Sequence, residues 1–294
     1  MKRLFLSLIG LAILVAGLVL FLTRPERVDV NAVATLSGDA ARGERLFHLG
    51  GCTSCHAAPG AKGTDRVVMA GGVALASPFG TFYAPNISPD PAHGIGNWTL
   101  ADFASAMRYG TSPDGAHLYP AFPYTCYARV PLTDLADLFA YLQILPPSAV
   151  ENKPHDLPFP FNVRLGLGLW KALNLDPAPV IDPGSLSDEA RAGQRLAEGL
   201  GHCGECHTPR DVFGGLDRSR WLQGAPNPTG DGKIPALAGH EWSAEEIAEY
   251  LKSGFTPSFD SAGGAMAEVV ENTASLSDED RAAIAAYIKA LPKP

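Results

Sequence analysis

A chain of 294 residues, 46% apolar and 18% charged, is long enough for one large domain or two modest ones, and its composition is not that of a disordered polymer. The formal charge of −8 argues against nucleic acid as a partner. The acidity is concentrated in residues 185–294, which hold ten Lys or Arg against seventeen Asp or Glu, a net of −7, while residues 1–184 hold thirteen against fourteen.

The chain opens "MKRLFLSLIGLAILVAGLVLFLTRPERV". Lys2 and Arg3 precede nineteen uncharged residues, Leu4 to Leu22, enough to cross a bilayer as a helix. The run is longer than the apolar part of a cleaved signal peptide, and no small-x-small site follows directly. Residues 1–28 are read as an uncleaved anchor, with a cleaved signal as the alternative. In either case the rest of the chain faces an export compartment.

Beyond the anchor the sequence repeats itself. "ARGERLF" and "ARAGQRLAEG" are helical in pattern, and each leads to a Cys-x-x-Cys-His: "CTSCH" at 52–56 and "CGECH" at 203–207. "WTLADFASAMRYG" and "WSAEEIAEYLKSG" then predict helices capped by Thr99 and Ser243 and ended by glycine. "LTDLADLFAYLQILP" and "LSDEDRAAIAAYIKALP" predict final helices with Thr or Ser caps and a closing proline. Two such units imply duplicated helical domains, 36–148 and 185–294. Residues 149–184 between them are proline-rich, but "LPFPFNVRLGLGLW" is too apolar for a free tether. It predicts a belt packed on one or both domains, with a short helix near Trp170. No alternation is long enough to build a sheet, so the expected class is all-α.

The Cys-x-x-Cys-His repeats carry the chemistry. Two cysteines three apart share one helix face, so both thiols can add across the vinyl groups of one haem while the following histidine meets the iron. The spacing is that of c-type haem attachment. Zinc is disfavoured because the two pairs lie too far apart in the chain for a compact zinc module. Disulfides would not need a histidine after each pair, and a thioredoxin-like site would need a βαβ context. Two covalent haem c groups are expected, held by Cys52, Cys55 and His56 and by Cys203, Cys206 and His207. Met266, downstream of His207 in a loop before the last helix, is the expected far-side ligand of haem 2; a His/Met pair raises a haem's potential.

The runs "SPFGTFYAPNISPDPAHGIGNWTLADFASAMRYGTSPDGAHLYPAFPY", "GHCGECHTPRDVFGG" and "GGAMAEVVENTASLSDEDRAAIAAYIKALP" resemble the cytochrome c subunits of membrane-bound bacterial dehydrogenases of the alcohol and gluconate type. That resemblance covers most of both domains. It implies two tandem cytochrome c-type domains on a transmembrane helix, at the periplasmic side of an inner membrane. It further implies electron transfer from a periplasmic dehydrogenase, or its large subunit, toward quinone or a terminal oxidase. Family members have methionine in a "YPAMPY" stretch where this chain has Phe122. Counting ten back from Leu132 reaches Phe122, as ten back from Leu276 reaches Met266. For haem 1 the residues leave open His117, Cys126, Met107, Met69 or no protein ligand. The missing methionine also keeps a second reading alive, a dihaem enzyme of peroxidase or thiosulfate-dehydrogenase type. Arg210 is expected to pair with a haem propionate. Trp98, Tyr119, Tyr124 and Trp242 either line haem edges or pack the core. His48, His93, His155, His202 and His240 are read as surface or loop residues.

Overall fold

Two crossing pairs of helices organise the chain, one in each half. The structure, a computed structural model, describes residues 2–227, 230 and 232–293. Helix α1 (Lys2–Leu22) stands clear of the body with no buried residue. The first half follows with α2 (Val30–Val33), α3 (Ala40–Leu49), α4 (Cys52–His56), the hairpin β1 (Ala74–Ser77) and β2 (Gly80–Tyr83), α5 (Leu100–Tyr109), α6 (Tyr124–Tyr127) and α7 (Leu132–Leu142). After α8 (Gly166–Asn174) come α9 (Asp188–Glu198), α10 (Gly204–His207), the hairpin β3 (Ala225–Pro226) and β4 (Lys233–Ile234), α11 (Ala244–Ser253), α12 (Ala265–Thr273) and α13 (Asp278–Ala290).

α3 crosses α7 and α9 crosses α13. Glycine sits at both crossings because the backbones nearly touch. A Cβ at Gly43 would lie 2.0 Å from the Asp137 carbonyl oxygen, and one at Gly193 would lie 1.8 Å from that of Ala283. Asp137 also takes the Arg42 guanidinium at 2.7 and 2.8 Å and the Asp39 amide at 2.7 Å, which fixes the start of α3.

From the start of α5 to the bridge that follows it the halves match position for position; beyond that the first half runs two residues shorter, so that α7 starts at Leu132 and α13 at Asp278. Thr99 and Ser243 both close capping boxes, with Asp102 and Glu246, as the sequence predicts. Gly110 and Gly254 both end their helices in the left-handed region. A bridge joins Thr111 to His117 in one half and Phe255 to Ser261 in the other. The Leu118 amide donates to the Gly110 carbonyl at 2.7 Å, and the Ala262 amide to the Gly254 carbonyl at 2.8 Å.

Three expectations need correction. The two short hairpins fall below the length at which alternation reads as strand. Thr133 does not cap α7: Pro131 holds that position, and proline's fixed φ suits a helix entry. Ser277 does cap α13, accepting from the Asp280 amide. The belt packs through Val180, Ile181 and Trp170, and its backbone is pinned as well. Glu198, essentially without exposure, accepts from the Val180 amide at 2.7 Å and from Ile181 at 3.3 Å. Arg129 and Arg218 each donate to carbonyls of Asp176 and Ala178. Phe159, Phe161, Val163, Leu165, Leu169 and Leu173 meanwhile face outward.

The halves share one core, in which Leu46, Phe47 and Leu135 of the first are continuous with Leu200, Leu276 and Ile284 of the second. Around it Arg45 pairs with Asp280 at 2.5 Å, and Arg66 pairs with Glu271.

Candidate functional site

The two Cys-x-x-Cys-His helices meet at the boundary between the halves. α4 opens at Gly51, whose positive φ of 55° makes the turn into it. Among the described residues none of the four motif cysteines is in a disulfide. Burial pushes the thiols of Cys52 and Cys203 up to about 12, so both are held as neutral S–H groups. The Cys55 thiol is raised by burial, by Glu268 and by Cys206, so one thiol of each motif lies within electrostatic reach of the other. Burial likewise raises the Cys206 thiol, reinforced by Glu205.

Both motif histidines are oriented in the same way. His56 Nδ1 lies 2.8 Å from the Pro85 carbonyl oxygen, and His207 Nδ1 lies 2.8 Å from that of Pro235. A carbonyl only accepts, so Nδ1 carries the hydrogen and Nε2 keeps its lone pair. Burial lowers the pKa of both rings against the opposing pull of those bonds, which favours the neutral, ligating form. Each histidine's own carbonyl accepts an amide at 2.7 Å, from Gly71 and Gly224 respectively. Two free thiols on one helical face beside a neutral imidazole with a fixed tautomer are the donor set that a covalent haem requires.

The contacts between motifs are reciprocal. Asn272 of α12 donates from Nδ2 to Ser54 Oγ at 3.2 Å and accepts from Thr53 Oγ1 at 3.3 Å. Glu205, at the place in CGECH that Ser54 holds in CTSCH, accepts from Cys126 Sγ at 3.2 Å and Thr125 Oγ1 at 3.3 Å, both on α6. Each motif is thus held by the other half's segment between α5 and α7 or between α11 and α13. Tyr127 is buried between them; burial, then Cys52 and Cys55, raises its hydroxyl.

Met266 stands half-buried at the start of α12, packed against the shared core. The residue at the matching place in the first half is Phe122, held edge-on by Tyr127 with ring centroids 5.4 Å apart. The alternatives for that side lie elsewhere. Met107 is buried and occupies the place of the buried Leu251. Met69 is fully buried and accepts from the Ile87 amide at 2.9 Å, as the fully buried Leu222 accepts from Leu237 at 2.8 Å. It sits two residues before the glycine that binds the His56 carbonyl, in the segment on the histidine's side. His117 matches Ser261 at the base of the loop, and its Nε2 donates to the Thr23 carbonyl at 3.1 Å. Cys126, counted back from the final helices, matches Asn272, and its thiol is raised strongly by burial and by Glu205, to which it donates.

Other expectations shift as well. Arg210 is engaged by the Glu205 carboxylate at 2.5 Å and by the carbonyls of Glu205 and Gly214, which leaves it a motif-bracing residue. His202 belongs to the boundary, with Nε2 3.3 Å from the Gly50 carbonyl and its ring against Tyr127. Tyr119 packs on Phe82 and His155, and Tyr124 fills the space beside Gly110. Trp98 and Trp242 are core-packing residues in both halves. Sequence reasoning missed Pro85, Pro235, Asn272 and Glu205. A proline recurring at nearly the same spacing after each motif histidine was the available signal for the first two.

The sequence profile described as "Cytochrome c" matches residues 40–146, and the profile described as "Cytochrome C oxidase, cbb3-type, subunit III" matches residues 188–288. The chain is 58% identical over 287 residues to a "Diheme cytochrome c-type" protein of Cereibacter sphaeroides, covering 96% of this chain and 97% of that protein. It is 38% identical over 262 residues to the "Fructose dehydrogenase cytochrome subunit" of Gluconobacter japonicus. It is also 38% identical over 268 residues to the "Alcohol dehydrogenase (quinone), cytochrome c subunit" of Gluconobacter oxydans. Each of these two alignments covers 85% of this chain, which spans only 52% and 54% of those relatives. Two cytochrome c domains and a dihaem relative give the chain two covalently bound haem c groups.

Proposed function

This chain belongs to the dihaem c-type cytochromes, and from that premise we propose that it relays electrons at the periplasmic face of the inner membrane, from a dehydrogenase partner toward the respiratory chain. In this reading domain 1 is 36–148, domain 2 is 185–294, and 149–184 is the belt that joins them. Cys52, Cys55 and His56 hold one haem. Cys203, Cys206 and His207 hold the other, with Met266 on its far side. The haems supply one-electron chemistry. The protein's part is to fix each histidine's tautomer through Pro85 and Pro235, to bury the attachment thiols and to bring the two sites together.

The observation that carries the proposal is the meeting of the two motifs at the domain boundary, each held by reciprocal hydrogen bonds from the other half. A pair of sites so joined passes an electron from one domain to the other without leaving the protein. The dehydrogenase names of the relatives support an electron donor of that class.

Retention of α1 as an anchor is supported by how its foot is seated. Thr23 is buried, with its carbonyl on His117. Arg27 pairs with Asp102 at 2.5 Å and donates to the Pro113 carbonyl, and the Val28 amide donates to Ser105 Oγ at 3.0 Å. Gly168 of α8 packs directly on Thr23, so the outward-facing Leu165 and Leu169 lie beside the foot, where a bilayer surface would meet them.

The reading is tested by deleting the chain from its host and assaying membranes for oxygen uptake driven by sugar, sugar-acid or alcohol substrates. Loss of uptake with one of them, restored by the full chain, supports a relay. Unchanged uptake with every substrate, together with rapid turnover of peroxide or thiosulfate by the purified protein, would replace the relay with the dihaem enzyme. Phe122 favours that second reading; Cys126, neutral and bound to Glu205, weakens its thiolate form.

A further inference from the structure

Phe122 and Met266 occupy one position of a repeated scaffold, counted from the start of the loop. Four positions upstream, Leu118 and Ala262 make the same bond to the glycine that ends the preceding helix. Downstream the final helices start at Leu132 and Asp278, two residues out of step with that count, so that counted back from them Met266 falls opposite Pro120. None of Pro120, Ala121 and Phe122 carries a side chain that can bind iron, so neither count brings a donor to the place of Met266.

Every other donor in domain 1 that the sequence puts forward sits at another place in the scaffold. Met69 and Met107 fill the places of the core leucines Leu222 and Leu251. His117 lies at the loop base, bridged to Thr111, with Nε2 donating to the Thr23 carbonyl and Nδ1 buried without a hydrogen-bond partner. The Cys126 thiol spans the domain boundary to Glu205.

We propose that haem 1 has no protein ligand on its far side and that domain 1 carries a binding site there for a small neutral diatomic ligand, with Phe122 as its wall. This rests on the haem assignments above. The chemistry of the wall sets the ligand class. Phe122 has no lone pair to offer the iron and no hydrogen to donate to an anion, and its ring is packed against Tyr127 and Tyr124 in edge-on contacts. An apolar wall disfavours an uncompensated charge, so carbon monoxide or nitric oxide on the reduced haem fits, and the doubly charged thiosulfate anion fits poorly. Domain 2, with Met266 in place, is closed to the same ligands.

The test is carbon monoxide titration of the full-length, fully reduced protein, after alkaline pyridine haemochrome analysis has established two haems per chain. The expected result is a rapid Soret change with the amplitude of one haem out of two. Phe122→Met, which copies the residue of the other domain, abolishes it. Met266→Phe, the reverse exchange, doubles it. Low-temperature electron paramagnetic resonance of the oxidised wild type adds one high-spin signal that Phe122→Met removes. The proposal is overturned if the two-haem wild type binds no carbon monoxide, or if Phe122→Met binds as much as wild type. Fewer than two haems per chain would overturn the haem assignments themselves, and this site with them.

Discussion

The loops between α5 and α7 and between α11 and α13 are built alike and do different things. Both leave a left-handed glycine, close on a short bridge, enter a helical turn and feed a final helix. In domain 2 the turn extends into the nine-residue α12, and its first half-buried side chain is Met266. In domain 1 the turn shrinks to four residues, Pro123 breaks the run just after Phe122, and aromatic packing replaces a sulfur donor. A duplicated scaffold can thus keep its backbone, its attachment helix and its histidine orientation while one side chain sets the character of each haem.

The largest expected effect comes from removing an attachment pair. Cys203→Ser with Cys206→Ser should lower the covalent haem content from two to one, read by haemochrome. The matching change at Cys52 and Cys55 should do the same. If either double variant kept two covalent haems, the symmetry of the sites would be broken. Next is Glu198, a carboxylate without a counterpart in domain 1, where the matching end of α3 carries His48. It accepts from Tyr287 at 2.6 Å, Gln194 at 2.9 Å and the belt amides. Glu198→Ala strands these donors in the interior and should cost about 3 kcal/mol, seen as an earlier denaturant midpoint followed at the haem 2 absorbance. An unchanged midpoint would remove the belt's role in domain 2.

Met107→Leu and Met69→Leu copy the residues of domain 2. Each should cost less than about 1.5 kcal/mol and leave both haem spectra as they were; a changed haem 1 spectrum would make that methionine a ligand after all. The smallest effect is at the boundary. Burial works against ionisation of Asp280, but the hydrogen bond and charge of Arg45 outweigh it, and its pKa lies below the ordinary range. The folded value is depressed, so the stabilisation is complete at neutral pH and is lost as the pH falls below about 4 toward the folded value. Because Arg45 is 43% exposed, the pair should contribute about 0.5 kcal/mol. Asp280→Asn should therefore lower the denaturation midpoint at pH 7 and leave it unchanged at pH 2; an equal loss at both would point to packing instead.

Much of this was legible in the sequence because it is local. The motif cysteines and histidines sit side by side in the chain, the caps at Thr99 and Ser243 are followed by carboxylates, and the internal repeat exposed Phe122. What was not legible depends on which surfaces meet. Nothing near Glu205 announces that it binds Cys126 across the boundary, nor that Asn272 reaches Thr53 and Ser54, because the members of each pair lie in different halves of the chain. The outward turn of Phe159 and Leu169 was hidden for a related reason. An apolar run reads as buried, and only its place beside the foot of α1 explains why it is not. Arg210 looked free for a propionate because its partner Glu205, although close by in the chain, is oriented by the other domain.

The central claim is that one position, Phe122 against Met266, makes two similar sites electronically different. The direct measurement is a spectroelectrochemical titration of the full-length protein beside its Phe122→Met variant. The account predicts two resolved one-electron steps in the wild type, the lower belonging to haem 1, and an upward shift of that lower step alone in the variant, since methionine ligation raises the potential. Two steps that coincide in the wild type, or a lower step that stays in place when methionine is introduced, would contradict it.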